Sequence, residues 1–306
     1  MNGNHLLLER LKTGVLLLDG GMGTELQKRG IRGNTALGNV EAPAVIEEIH
    51  QAYLEAGADI LETNTFAGSR FALGRDDKNT LEGDLVRKYD LAGIAIARKV
   101  ASRRPDVFIA GSIGPIGKLV YPFVDGSDAD SDLYLPRELA YNLFKEQAEV
   151  IGEGGVDFCL IETMIDLKEA MLALKAAKDT GLITAVSFNL GKGHRTPFGN
   201  RIEDIVRACE ESGAEIIGVN CIPDMPVAVE VARELRAITS RPLIVYPNAG
   251  IPDARGVHPD QPAYMAGYIE ELIEAGANII GGCCGTTPAH IKAFRESIDR
   301  FGGMRT

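Results

Sequence analysis

No apolar run in this sequence approaches the ~20 residues that span a bilayer, which excludes a membrane-spanning helix. Basic charge is in short supply. Thirty-two Lys and Arg stand against 43 Asp and Glu, a net charge of −11, and no basic run occurs. That balance argues against nucleic acid or an anionic membrane as partner. Cysteines number only five, an odd count, and 1–13 reads as a short amphipathic lead-in without a secretion signal. Free thiols and a reducing, cytoplasmic location are expected. Nucleotide fingerprints are missing as well. Gly20-Gly21-Met22-Gly23 fits neither G-x-G-x-x-G nor the P-loop pattern, so its glycines read as a place where backbone approaches a small ligand beside Asp19. The acidic run Asp125, Asp128, Asp130 and Asp132 lacks the spacing of an EF-hand and reads as a solvated loop.

What is present is an ordinary globular composition, 45% hydrophobic and 25% charged, in 306 residues. The length suits two average domains or one closed α/β barrel of about 250 residues, so the strand pattern has to decide. Eight short apolar runs recur at 15–19, 59–63, 107–112, 157–162, 183–189, 215–220, 243–248 and 278–282. Segments with the helical period follow them at 43–56, 81–102, 137–152, 166–180, 202–212, 226–239, 261–275 and 288–301. Runs apolar on both faces and alternating with helices read as parallel strands covered by helices. A concealed repeat supports the count. Glu55-Ala-Gly57-Ala-Asp59, Glu153-Gly-Gly155-Val-Asp157, Glu211-Ser-Gly213-Ala-Glu215 and Glu274-Ala-Gly276-Ala-Asn278 each set a glycine where a helix ends and a strand begins. One (β/α)8 TIM barrel, a single domain over 1–306, is the expectation, with an open doubly wound sheet as the alternative.

In such a barrel the C-terminal strand ends converge on one mouth, where residues serve chemistry. Here those ends are polar: Asp19, Glu62-Thr63-Asn64, Ser112, Glu162-Thr163, Asn189, Asn220-Cys221, Asn248 and Cys283-Cys284. The pair Cys283-Cys284 lies among glycines in Gly281-Gly282-Cys283-Cys284-Gly285, and Cys221 ends strand six. Thiolates bind borderline metals well, so the three make a candidate zinc site whose open fourth position would be catalytic. The competing reading is that they are small buried hydrophobes, as Cys159 and Cys209 are taken to be. Asp19 and Glu162 suit a cationic amine of a substrate, or else cap helices at a loop edge. His194 and His258 read as solvated loop residues. The long loops 114–135 and 191–200 read as lids or docking surfaces.

Together Leu16-Leu-Leu-Asp19-Gly-Gly-Met-Gly-Thr-Glu25, Thr63-Asn-Thr-Phe66, Gly111-Ser-Ile-Gly-Pro115, Ile161-Glu162-Thr163, Gly218-Val-Asn-Cys221, Tyr246-Pro-Asn248-Ala-Gly250 and Gly281-Gly-Cys-Cys284-Gly-Thr-Thr-Pro288 resemble the homocysteine S-methyltransferase family. The match runs from about 15 to 301 and looks closest to the homocysteine-binding module of cobalamin-dependent methionine synthase. The resemblance implies zinc held by Cys221, Cys283 and Cys284 at the barrel mouth, with Asp19 and Glu162 near the homocysteine amino group. Ser112 and Asn248 join them as candidate substrate contacts, and in the synthase the residue matching Asn248 can fill the fourth zinc position. A tyrosine of the betaine-dependent branch is replaced by Ala67. The methyl donor stays open between a methylcorrinoid on a partner protein and S-methylmethionine or another sulfonium, with betaine least favoured. Zinc would hold the homocysteine thiol, whose free pKa is near 8.5, as a nucleophilic thiolate. A homocysteine-binding subunit that needs a corrinoid protein is the alternative function.

Overall fold

The computed structural model describes residues 3–74, 84–121, 134–191 and 193–304. Eight parallel strands form the centre: β1 Leu16–Leu17, β2 Ile60–Glu62, β3 Phe108–Ile113, β4 Phe158–Met164, β5 Thr184–Phe188, β6 Ile216–Asn220, β7 Leu243–Tyr246 and β8 Ala277–Ile280. From β2 onward each pairs with the next in chain order, and β8 pairs with β1 through Leu16↔Ile279 and Leu17↔Ile280. The remaining gap is closed by a parallel bridge between Leu18 and Ile60 and by Asp19 N–H donating to the Ile60 carbonyl at 3.1 Å. A continuous circuit of this kind rules out the open doubly wound sheet and gives the (β/α)8 barrel.

The four-fold repeat has a physical purpose at two of its positions. Gly57, Gly155, Gly213 and Gly276 all adopt positive φ, between 74° and 98°, and turn the chain from helix into strand. Two residues on, each polar side chain reaches the preceding strand. Asp59 accepts from Leu17 N–H at 2.9 Å, Asp157 from Ile109 at 2.7 Å, Glu215 from Thr184 at 2.8 Å and Asn278 from Leu243 at 2.9 Å. The repeat thus stitches β1 to β2, β3 to β4, β5 to β6 and β7 to β8 at the end of the barrel opposite the mouth.

Alternate strand residues fill the barrel interior, among them Leu16, Leu18, Ile60, Phe108, Phe158, Ile216, Ile244 and Ile279. Helix Gly3–Thr13 closes the lower end, with Leu7 and Leu11 packed into the same cluster. The amphipathic lead-in is therefore a plug. Outward-facing strand residues pack against the helical ring in a second, larger core. Among the described residues no helix is long and apolar enough to cross a membrane. The expected helix 261–275 is split into Pro262–Ala266 and Ile269–Glu274, with Gly267 and Tyr268 between them. Its glycine contributes no side chain to hold the helix through that point. A parallel pair, Leu119–Tyr121 with Tyr134–Pro136, lies in the loop after β3. The rest of that expected lid, including Phe123, Asp125, Asp128, Asp130 and Asp132, lies outside the described residues, as does Lys192 of the second loop.

The same β3 loop is tied to helix Leu167–Lys178, where buried Glu169 accepts from Ile116 N–H at 2.8 Å. Burial pushes this carboxyl up to about 7. A carboxyl raised in the folded state contributes stability that is complete below its unfolded pKa and lost as pH rises through 7. Glu169→Gln keeps the acceptor without the charge. Urea denaturation is expected to show the variant more stable than the parent at pH 8.5, by on the order of 3 kcal/mol, and nearly equal at pH 4.5. An equal difference at both pH values would refute this account.

Candidate active site

The loops leaving β6 and β8 bring three thiols together at the mouth. The Sγ atoms of Cys221, Cys283 and Cys284 all lie within 4.8 Å of one another, with Cys221 and Cys283 2.8 Å apart. Cys221 adopts φ 54°, a left-handed conformation unusual for a residue with a side chain. The cost, of order 1–3 kcal/mol, must be met by its surroundings, and these are well tied. Asn248 donates through Nδ2 to the Cys221 carbonyl at 3.1 Å and accepts at Oδ1 from Cys284 N–H at 3.0 Å. One amide therefore fixes the backbones of both thiol-bearing loops. Thr286 ties in a third loop, donating to the Cys283 carbonyl at 2.7 Å while accepting from Gly21 N–H at 3.0 Å. A Cβ at Gly21 would stand 2.5 Å from the Cys283 carbonyl oxygen, so this glycine is what lets the β1 loop reach the thiols.

Carboxylates form the facing wall. Glu162 accepts from Ser112 Oγ at 2.6 Å, from the Tyr246 hydroxyl at 3.2 Å and from Asn220 Nδ2 at 3.3 Å. Asn220 also accepts from Thr163 N–H at 2.9 Å and from Ser187 Oγ at 2.8 Å, locking its orientation. Asp19 accepts from Glu62 N–H at 3.1 Å. Burial, reinforced by the charge of Glu162, holds the Asp19 carboxyl well above its ordinary range, and the same two causes raise Glu62.

Between thiols and carboxylates lies a cavity of about 400 Å³. Met22 and Phe66 give it an apolar side, Glu62 and Glu162 an acidic one, and among the described residues no Lys, Arg or His lines it. Of the three thiols, only Cys284 reinforces that bias. Hydrogen bonds from Cys221 and then Cys283 pull the Cys284 thiol down to about 3. Cys283, hydrogen-bonded to Cys221 and Cys284, is pushed well above the thiol range. With Glu162 and Cys284 on its walls and no lining cation among the described residues, the cavity favours positive groups over negative ones.

All seven residues picked from the sequence, Asp19, Ser112, Glu162, Cys221, Asn248, Cys283 and Cys284, stand at this mouth. Ser112 and Asn248 direct their hydrogen bonds to Glu162 and to the thiol loops respectively. Three participants were not singled out. Glu62 was visible only as one polar strand end among many. Asn220 was overshadowed by the cysteine beside it, and Tyr246 entered only as the first residue of the Tyr246-Pro-Asn248 motif. Cys159 and Cys209 are buried away from the mouth, and burial pushes both thiols up to about 12. His258 is half-buried instead of solvated, its ring so close to Gly285 that a Cβ there would meet it at 2.2 Å.

Comparison with known proteins gives the family and the fold. The family model for homocysteine S-methyltransferase matches residues 16–298. Methionine synthase of Mycobacterium leprae is 33% identical over 319 residues, covering 96% of this chain and 25% of that protein. The chain thus spans about a quarter of the length of that relative. Among solved structures, the Escherichia coli homocysteine methyltransferase MmuM in its oxidized form matches with a TM-score of 0.78 and 26% identity over 97% of this chain and 99% of that one. Its metallated form matches with a TM-score of 0.77 and 27% identity, over 96% and 99%. The carboxyl transferase domain of Rhizobium etli pyruvate carboxylase, at 15% identity and a TM-score of 0.52, covers 98% of this chain and 51% of that one and shares the barrel alone. Fold and family match together define a (β/α)8 barrel of the methyltransferase class. The chain belongs to the homocysteine S-methyltransferase family.

Proposed function

We propose that this enzyme is a zinc-dependent homocysteine S-methyltransferase that forms methionine, with Cys221, Cys283 and Cys284 holding the metal. The observation that carries the reading is the convergence of three thiols on an acidic cavity with no basic lining among the described residues. Tetrahedral zinc with Zn–S near 2.3 Å spaces its sulfurs about 3.8 Å apart, so a trio gathered within 4.8 Å fits the ion, and three protein ligands leave one position for substrate. Zinc bound there would keep the homocysteine sulfur deprotonated at neutral pH.

The chain's own residues do the rest. Glu162, Glu62 and Asp19 face the substrate ammonium, and Ser112, Asn220 and Tyr246 hold Glu162 in place for it. Met22 and Phe66 offer apolar surface to the methylene chain. In the transfer the substrate sulfur forms a bond to the methyl carbon while the bond between methyl and donor breaks. The electron pair leaves with the donor, as a neutral thioether from a sulfonium or a reduced corrinoid from a methylcorrinoid. The likeness to MmuM, a homocysteine methyltransferase matched over 99% of its length, supports turnover by a barrel of this size, for which we take a small sulfonium as the donor. The likeness to methionine synthase supports the second reading, a homocysteine-binding subunit working with a corrinoid protein.

Zinc content of the anaerobically purified chain, with methionine formation from S-methylmethionine, methylcobalamin and betaine run separately, tests both. About one zinc per chain with sulfonium-driven turnover is expected. Turnover from methylcobalamin alone would favour the subunit reading, and a zinc-free chain would sink the mechanism.

A further inference from the structure

Beside the acidic cavity lies a second one of opposite character. Its volume is about 850 Å³, and it opens between helix Met22–Lys28, the loop after β7 and the start of helix Pro288–Met304. Among the described residues Lys28, Arg32 and Arg255 line it against a single carboxylate, Asp260, in a chain whose net charge is −11. The two cavities share Thr24 and Gly33 on their walls, so they adjoin. Two of the three cations are partly engaged: Lys28 with Glu25 at 2.8 Å and Arg255 with Asp253 at 3.0 Å. No hydrogen bond or ion pair of the Arg32 side chain occurs among the described residues, and the residue is exposed. His258 lines the basic cavity beside Gly285, its Nδ1 2.9 Å from the Gly250 carbonyl, which only an N–H can satisfy.

Methyl donors of the classes considered above share one chemical feature. A methyl group to be attacked must reach the thiols, while an anionic oxygen group, the carboxylate of a sulfonium amino acid or the phosphodiester of a corrinoid, must lie elsewhere. The acidic cavity is the poorer place for it, since Glu162 lines that space with no lining cation to offset it among the described residues. We infer that the basic cavity seats the anionic oxygen group of the methyl donor, with Arg32 and Arg255 as its specificity-determining contacts. The opposed charges of the two cavities then orient the donor, methyl group toward the thiols and anion away from them. Homocysteine also carries a carboxylate, and its calorimetric affinity tells whether that group or the donor's takes the basic side.

This inference rests on the methyltransferase reading, and its test separates the two. Arg32→Gln combined with Arg255→Gln is made in the full zinc-loaded chain. A charge-assisted contact is worth about 1.5–3 kcal/mol, or about tenfold or more in affinity. The donor KM should rise about tenfold or more, with zinc content and homocysteine affinity by calorimetry unchanged. Sulfate should compete with the donor in the parent chain and fail to do so in the variant. S-methylmethionine and methylcobalamin are run as separate arms, and the one whose KM shifts identifies carboxylate or phosphodiester as the group seated. An unchanged KM for every donor that turns over overturns the inference, as does a shift confined to homocysteine. Should the chain show no turnover at all, the methyltransferase reading fails, and calorimetric sulfate binding still decides the cavity: binding lost in the variant sustains an anion seat, and absence of binding in the parent overturns it.

Discussion

Cys283→Ser is expected to empty the zinc site and lower the rate of methionine formation by about a thousandfold or more, while the barrel stays folded. Two effects combine. A free alkyl thiol with pKa near 8.5 is only about 3% thiolate at pH 7, so losing the activating metal costs roughly 30-fold by protonation alone. Loss of the metal also releases the sulfur from its fixed place, and positioning of this kind is worth at least another hundredfold. The fold should not notice. Cys283 is held by backbone, its N–H donating to the Pro247 carbonyl at 2.8 Å and its carbonyl accepting from Thr286, and none of these contacts involves sulfur. Because bound metal itself stabilises a fold by mass action, the comparison is made between metal-free forms, whose thermal midpoints should agree within about 2 °C. Full zinc occupancy with the parental rate in the variant would remove the three-thiol assignment. A large fall in the metal-free midpoint would show instead that the thiol supports the loop.

The barrel could be read from the sequence because its signals are local. Four glycines in a helix-to-strand setting, each followed two residues later by Asp, Glu or Asn, announced the repeating unit, and the backbone angles and strand-to-strand hydrogen bonds show why both positions recur. The thiols were legible for a related reason: cysteines placed among glycines at strand ends are poor core material and converge once the barrel is assumed. What stayed hidden depends on distance in sequence. Glu62 and Asp19 become neighbours only through the β1 to β2 closure, and Asn220 acquires its hold on Glu162 from a strand two places away. Tyr246 shows the limit most plainly. Its ring is buried core, and only the fold reveals that its hydroxyl is aimed at a carboxylate 84 positions earlier. The basic cavity was similarly out of reach, since Arg255 lies far along the chain from Lys28 and Arg32 and only the fold brings them together.

Glu162→Gln is expected to weaken homocysteine binding by about 10- to 100-fold with zinc retained, since one charge-assisted hydrogen bond to an ammonium is worth about 1.5–3 kcal/mol. The substitution preserves shape. Position 162 is not among the three thiol ligands, and Ser112 can turn its hydroxyl to accept from the new amide while Tyr246 and Asn220 keep an oxygen to donate to. The pH dependence separates a binding role from a structural one. Homocysteine is bound through its ammonium, so affinity in the parent should fall as pH drops and the carboxylates take up protons. That fall begins early, because burial and then the charge of Glu162 raise Asp19 and Glu62 well above the usual carboxylate range. Removing the Glu162 charge removes one of the causes of that rise. In the variant the two remaining carboxylates should therefore stay ionised to lower pH, and the acid limb of binding should move downward even as affinity at pH 8 declines. Calorimetric titration of homocysteine from pH 5 to 8 reads both quantities. An affinity that fell with the limb in place would mean that Glu162 acts on the substrate without coupling to its neighbours, and an unchanged affinity would remove it from the ammonium site altogether.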